Sequence, residues 1–480
     1  MIYEEPLLWE IGDGQGVGFS IPGCETGKTI LKSKHKRRGF KLPGLSEPEV
    51  SRHFTRLSTW NYGVDTNIYP LGSCTMKYNP KLNEKVASLK GFTNCHPLQG
   101  NDLSQGCLEV LFKTGELLKE ITGMDDVTLQ PAAGAHGELV SLMMFKKFHR
   151  DNGEEKIRDT ILIPDSAHGT NPASASLCGF KIQVVKSNID GVLTVEEVSK
   201  YLGSNIAGIM ITNPNTLGIF EKNIRDISEL VHRCGGLVYG DGANLNPLLG
   251  KVKVADTGVD AMHINLHKTF STPHGGGGPG AGPVCVKRHI SKYLPNPKVV
   301  FNSGKYTFDY SCKESIGRVH GFYGNFSVIL KAYTYILSMG RDGLKKVGEY
   351  SVLNANYIRF RLKNYYHLPY NADSMHEVLF NDENQKKFGV STLDIAKRLE
   401  DKGFHPPTIY FPLVVTGSML IEPTESESRT SLDNFIKAMV SISKEAKEDG
   451  NILVNSPKNC KCERVDETLA ARKPILKGEF

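Results

Sequence analysis

The stretch Ile264-Asn265-Leu266-His267-Lys268-Thr269-Phe270-Ser271-Thr272-Pro273-His274, followed by Gly275-Gly276-Gly277-Gly278-Pro279-Gly280, decides how the rest of the chain is read. A lysine stands just after a short apolar run, Ala261–Ile264, that reads as a buried strand. A glycine-rich loop lies behind it. That arrangement presents an amine into a cleft. An amine attacks an aldehyde only when uncharged, and a partly desolvated pocket lowers its pKa toward that form. The glycines allow close backbone approach to a ligand. By itself the block also describes a surface lysine beside a flexible loop, because lysines after strands are common.

Working outward, further short apolar runs bounded by turn residues occur at Thr160–Pro164, Lys181–Val185, Ile206–Thr212, Gly236–Tyr239 and Pro283–Val286. Segments with helical spacing fall before or between them, at Leu108–Ile121, Glu138–His149, Val195–Leu202 and Ile224–Cys234. Apolar strands alternating with helices predict an α/β fold with a mainly parallel sheet covered on both faces. After Gly324 the texture changes. Helices are expected at Ser327–Leu337, Tyr350–Leu362 and Leu432–Ala446, and strands at Glu377–Phe380, Ile409–Val415 and Ser418–Ile421. These form a smaller α+β domain. The expected organisation is an N-terminal arm and irregular segment over 1–100, a large domain over 101–322, a small C-terminal domain over 323–455 and a tail over 456–480. A long, poorly periodic stretch such as 51–100 is usually functional or bound to a partner.

Two features tie Lys268 to a ligand. Gly240-Asp241-Gly242-Ala243-Asn244 closes the strand before the lysine's own. An Asp there can keep the pyridine nitrogen of pyridoxal phosphate protonated through a charge-assisted hydrogen bond. Read alone, Asp241 is also a common turn former. Pro131-Ala132-Ala133-Gly134-Ala135-His136-Gly137-Glu138 leads into a helix, and small residues at a helix start expose free N–H groups that suit a phosphate, although taken alone such a start is more often a plain N-terminal turn. His168, in Asp165-Ser166-Ala167-His168-Gly169-Thr170-Asn171-Pro172, follows another strand and is placed to lie over a cofactor ring; a lone His is more often structural. Asn213-Pro214-Asn215-Thr216 ends a fourth strand. All sit at strand C-terminal ends or helix starts, where open α/β sheets bind ligands.

The bulk properties exclude several classes. The 480 residues carry a net charge of +6 with no long basic run, Lys32–Arg38 being short, so nucleic acid is not an expected partner. No apolar run reaches the ~18 residues of a membrane span. The N-terminus shows neither a signal nor a transit pattern, and the cytoplasm is the expected location. The ten cysteines are scattered apart from Cys460 and Cys462, and two thiols do not make a zinc site. No metal is expected.

The residues as a set resemble a known family. Leu71-Gly72-Ser73-Cys74-Thr75-Met76-Lys77, Gln130–Glu138, Ala167–Pro172, Asp241–Asn244, Asn265–Phe270, His274–Gly280 and Met419–Glu425 are similar to the P-protein of the glycine cleavage system, glycine dehydrogenase (decarboxylating). In length and in carrying the lysine, the chain resembles subunit 2 of that enzyme's split form. The resemblance implies the fold-type I pyridoxal-phosphate architecture, with Lys268 as the Schiff-base residue, Asp241 as the pyridine partner and His168 as the stacking residue. Gly134, Ala135 and His136 correspond to the phosphate loop, and Thr170, Asn213, Asn244 and His267 complete the expected cofactor site. The implied activity is decarboxylation of glycine with transfer of the aminomethyl group to the lipoyl arm of H-protein. The implied partners are glycine, lipoylated H-protein and subunit 1, in a heterotetramer of two copies of each subunit. The segment holding Thr75 and Lys77, and the glycines at 275–280, are expected at a mobile cleft rim. Rival readings are another fold-type I enzyme, an aminotransferase or a cysteine desulfurase, and a non-catalytic scaffolding subunit. A desulfurase needs a persulfide-forming cysteine on a mobile loop, and no persuasive one is present.

Overall fold

In a computed structural model the described residues are 4–12, 32–35, 42–274 and 280–477. Most of the Gly275–Gly280 loop, and Lys36–Arg38 of the basic run, lie outside them. The chain forms two compact units, one made of residues 1–63 and 456–480 and the other of residues 64–455. Residues 64–100 therefore belong with the larger unit rather than with the arm.

In the smaller unit the helix Glu47–Ser58 replaces the irregular chain expected from residue 51. Its start is a capping box, in which the Glu49 carboxylate accepts the Ser46 N–H at 2.7 Å, with Pro48 in the first turn. The tail is held to the arm, with the Lys461 ammonium 4.5 Å from the Trp60 ring centre.

The larger unit is built on a seven-stranded sheet ordered β1-β7-β6-β5-β4-β2-β3. The strands are β1 (Asp126–Thr128), β2 (Thr160–Pro164), β3 (Lys181–Val185), β4 (Ile206–Thr212), β5 (Leu237–Gly242), β6 (Ala261–Ile264) and β7 (Val284–Val286). From β6 to β3 every pairing is parallel, and β7 and β1 extend the sheet through antiparallel pairings. β2, β4, β5 and β6 are buried along their whole length, which is why they read as unbroken apolar runs. Two apolar cores, one around Leu111, Ile211 and Phe270 and one around Phe145, Ile163 and Tyr239, cover the sheet. Each fully buried side chain of this kind contributes about 1.5–3 kcal/mol.

A hairpin follows, β8 (Lys298–Asn302) with β9 (Lys305–Asp309). The two helices expected after Gly324 are one run, Phe326–Leu362, broken at Gly340, whose φ of 61° and ψ of −176° suit glycine. Beyond it, β10 (Val378–Asn381), β11 (Thr408–Ile409) and β12 (Ser418–Ile421) form an antiparallel sheet with β12 in the centre. It shares a core containing Phe380, Met419, Phe435 and Ile442 with the helix Arg429–Glu448. The strand expected over Ile409–Val415 stops after Ile409, because Tyr410 has a φ of 57° and Pro412 brings no N–H to a ladder. Leu71 pairs with Ile421, so the chain entering this unit is stitched to the small sheet before it reaches the large one.

Candidate active site

Parallel pairing puts Thr212, Asp241 and His263 in one cross-strand row on β4, β5 and β6. This row opens into a cavity of about 250 Å³ at the C-terminal ends of the strands. Of the expected residues, Lys268, Asp241, His168, Gly134, Ala135, Thr170, Asn244 and His267 all line it.

Asp241 is buried. Its Oδ2 accepts the Asn171 side-chain amide at 3.0 Å, its Oδ1 accepts the Ala243 N–H at 2.9 Å, and His263 Nε2 lies 3.6 Å away. Burial alone would raise its pKa. The His263 imidazole, the Asn171 and Ala243 donors and the Lys268 ammonium outweigh that and hold it below the ordinary carboxylate range. Asp241 is thus an anion facing the cavity.

Lys268 follows β6 in the short helix Leu266–Thr269, and its Nζ donates to the Ser73 carbonyl at 2.7 Å. The neighbouring His267 is half-buried beside Lys268 and His274. Burial first, then His274 and Lys268, push its pKa down to about 3, so the ring is neutral. Its Nε2 accepts the Asn265 amide at 3.2 Å, which places the ring hydrogen on Nδ1, and Nδ1 is buried without a partner.

The helix Gly134–Asp151 points its first N–H groups at the cavity. A side chain at Gly134 would put its Cβ 2.5 Å from Asn265 Nδ2, so only glycine fits. His168 stands on the loop after β2, its ring edge-on to Phe411 at 5.5 Å. Its Nδ1 lies 2.9 Å from the Thr170 hydroxyl, which donates to Glu138 Oε1 at 2.7 Å.

Two expected residues are not brought to the cavity. His136 turns away: its Nδ1 accepts the Ala132 N–H at 3.1 Å, and its ring lies 6.4 Å from that of His320. At a helix start only the backbone need face the ligand, and this side chain pins the preceding turn. Asn213 lines a separate void of about 20 Å³ and clasps the turn to Glu221, whose N–H it accepts at 3.0 Å.

The sequence reading also missed several cavity residues, Ser73, Glu138, Thr216, His263 and Asn265 among them. Ser73 and Glu138 lie inside motifs already singled out. His263 and Asn265 carry the alternation of β6 itself. Thr75 and Lys77 are buried rather than on a mobile rim. The Lys77 ammonium meets Glu425 at 2.6 Å and the Thr269 carbonyl at 2.8 Å. Among the described residues, one His/Glu grouping, His376, Glu377 and Glu422, has donor atoms close enough for a metal ion. Both Glu422 oxygens are already taken by Thr75 and Asn246.

The residues present fit pyridoxal phosphate. Residues that line the cavity carry buried polar atoms without partners, at His267 Nδ1, Thr212 Oγ1 and Asn244 Oδ1. A lysine, a buried aspartate and a helix start converging at the strand ends of this sheet define a fold-type I pyridoxal-phosphate enzyme.

Comparison with known proteins narrows the class. The family description "Aminotransferase class-V" matches residues 148–317, and "Glycine dehydrogenase, C-terminal domain" matches residues 347–460. A Staphylococcus haemolyticus protein named probable glycine dehydrogenase (decarboxylating) subunit 2 is 54% identical over 477 residues, covering 98% of this chain and 97% of its own. The protein belongs to the glycine dehydrogenase (decarboxylating) subunit 2 family. In fold it is similar to a glycine decarboxylase (P-protein) of the glycine cleavage system, solved in inhibitor-bound form, with a TM-score of 0.71 at 19% identity over 86% of this chain and 93% of that one. A glutamate decarboxylase from Lactobacillus brevis follows with a TM-score of 0.66 at 16% identity, over 86% and 96% of the two chains.

Proposed function

We propose that the protein decarboxylates glycine and transfers the remaining aminomethyl group to the lipoyl arm of H-protein, as the pyridoxal-phosphate-bearing subunit of a glycine cleavage system. The observation that carries this reading is the 54% identity to a subunit 2 of glycine dehydrogenase over nearly the whole of both chains. The cavity supports it with residues suited to each task.

The cofactor, when bound, supplies the electron sink that lets the bond between the glycine α-carbon and its carboxylate break. Lys268 would tether it, and the Ser73 carbonyl holds the free amine at 2.7 Å. Asp241 would hold a proton on the pyridine nitrogen. The N–H groups of Gly134 and Ala135, with the His267 ring, would hold the phosphate at a helix start. His168, oriented through Thr170 and Glu138, would stack on the ring. Thr212 and Asn244 offer their unpartnered oxygens to the cofactor's edge. His136 and Asn213 serve by holding turns. In the transfer, CO₂ leaves, the carbon joins one lipoyl sulfur and the other sulfur is reduced to a thiol.

A subunit 2 implies a subunit 1, and we take the working assembly to be two copies of each. No helix among the described residues is long and apolar enough to cross a membrane. A cytoplasmic enzyme is part of the same reading.

Exchange of labelled CO₂ into the glycine carboxylate tests the proposal. Exchange that needs glycine, lipoylated H-protein and Lys268 is expected. A keto acid formed from glycine without H-protein would overturn it in favour of an aminotransferase.

A further inference from the structure

Behind the Ser73–Thr75 turn lie two carboxyl groups that the chemistry above does not use. Glu377 precedes β10 and Glu422 follows β12, and both are completely buried. Ser73 and Thr75 have positive φ angles of 61° and 39°. Such a conformation costs a non-glycine residue on the order of 1–3 kcal/mol and persists only where its surroundings over-determine it. Here they do. Glu377 Oε2 accepts the Ser73 N–H at 2.7 Å. Glu422 Oε2 accepts the Thr75 N–H at 3.0 Å, and its Oε1 accepts the Thr75 hydroxyl at 2.7 Å and the Asn246 amide at 3.0 Å. The turn so held aims the Ser73 carbonyl at Lys268 Nζ, 2.7 Å away.

The hydrogen bonds tell the two acids apart. Glu422 has both oxygens engaged by three donors, the surroundings of a carboxylate. Glu377 receives one donor. Its Oε1 has no partner and lies 3.9 Å from His376 Nε2, which is itself buried without one. An ionised Glu377 would be a buried charge met by a single N–H, whereas the neutral acid costs far less there. Two anions this close do not both persist away from water.

We propose that Glu377 and Glu422 are positioning residues for Lys268: they pin the Ser73–Thr75 turn as a docking point for the free lysine amine, and the pair holds one proton, with Glu377 the acid and Glu422 the carboxylate. The proposal rests on the reading of Lys268 as the cofactor lysine. Burial raises the Glu422 pKa, opposed by the Thr75 donors and by Lys268. Burial and the neighbouring Glu422 push Glu377 well above the ordinary range. Glu425 also faces Glu422, and His376 faces Glu377. Lys268 in turn faces Asp241, His267, His274 and Cys74. Glu422 thus faces Lys268 with a charge, while Glu377 contributes geometry without charge.

The asymmetry makes the test. Acetic anhydride labelling of the full-length, cofactor-free chain across a pH series, read by mass spectrometry of the Lys268 peptide, reports the basicity of that amine. Glu422→Gln removes the charge and sets an amide N–H₂ against a donor. It should lower the labelling midpoint by on the order of 1 pH unit, about tenfold faster labelling near neutrality. Glu377→Gln is shaped like the neutral acid and should leave the midpoint where it is. Equal shifts in the two variants, or none in Glu422→Gln, would overturn the proposal. If Glu422→Gln does not fold, Glu377→Gln decides alone: an unmoved midpoint supports the neutral acid, and a fall of about 1 pH unit overturns the proposal. A wild-type chain that never gains a visible absorbance band with pyridoxal phosphate would instead overturn the cofactor reading, and the labelling asymmetry would still decide the role of the acid pair.

Discussion

Asp241 shows how one side chain is kept charged in a place that disfavours charge. Its two oxygens are satisfied by Asn171 and Ala243, and His263 and Lys268 supply nearby positive character. Asparagine in its place keeps an oxygen for the Ala243 N–H. The new amide would face Asn171, whose own Oδ1 has no partner, so Asn171 can rotate and accept. Asp241→Asn is thus expected to fold with a stability change within about 1–2 kcal/mol. It should nonetheless lose roughly 100-fold or more in glycine-dependent CO₂ exchange, because the fixed charge that holds the pyridine proton is gone. Thermal melts and exchange rates on the same preparation check this, and a variant with near-normal exchange would remove Asp241 from that role. Acid acts on the same group. Since its folded pKa is depressed, its contribution to stability is present above the unfolded value near 3.8 and is lost as pH falls further.

The turn after β4 argues at the scale of an element. Asn213–Glu221 is clasped by a buried carboxyl: Glu221 Oε1 accepts the Asn215 amide at 2.8 Å and Oε2 the Leu193 N–H at 2.9 Å. Burial raises the Glu221 pKa from 4.5 to about 7. Its contribution is therefore complete below pH 4.5 and declines as pH rises toward 7, by about 3 kcal/mol in all. Glu221→Gln should cost about 1 kcal/mol near pH 5 for an imperfect hydrogen bond. It should also flatten the fall in Tm between pH 5 and pH 8, and melts at both pH values read the difference. An unchanged fall would mean that other groups carry it. The strands beside this turn were legible in sequence because parallel strands buried on both faces leave continuous apolar runs, and β2, β4 and β6 fall where such runs were read. β1 was not, being three residues long and starting on a charge. The β8–β9 hairpin was missed because its residues are half-exposed and mixed in polarity, although Ser303-Gly304 between them is a turn signal. The helix Glu47–Ser58 carries a readable capping box that was overlooked among polar neighbours. Lys268, Asp241 and His168 were legible because each lies next to a strand that announces itself. Glu377 and Glu422 were not, since they meet Ser73 and Thr75 across more than 300 positions of chain, which no local pattern encodes.

At the scale of the whole molecule, the cavity opens to the surface. His168 is exposed on its rim. Beside the helix start, His136 leads through His320 to Phe322, which is 58% exposed and packs edge-on against His96. Exposed aromatic rings of this kind are surface that a neighbouring subunit can cover. In the proposed assembly that neighbour is subunit 1, which in covering this face would also narrow the entry for a lipoyl arm. The isolated chain is then expected to bind pyridoxal phosphate, because Lys268, Asp241 and the Gly134 helix start all belong to it. It should catalyse glycine-dependent exchange at least tenfold more slowly than the mixture with subunit 1, consistent with pre-organisation by a second surface. Hydrogen exchange with and without subunit 1 locates the contact. Slowed exchange over residues 165–171 and 318–324 in the mixture is expected, together with a loss of that protection and of the activity gain in Phe322→Asp. Full activity of the single chain, or protection confined to the far side of the sheet, would move the partner's face elsewhere.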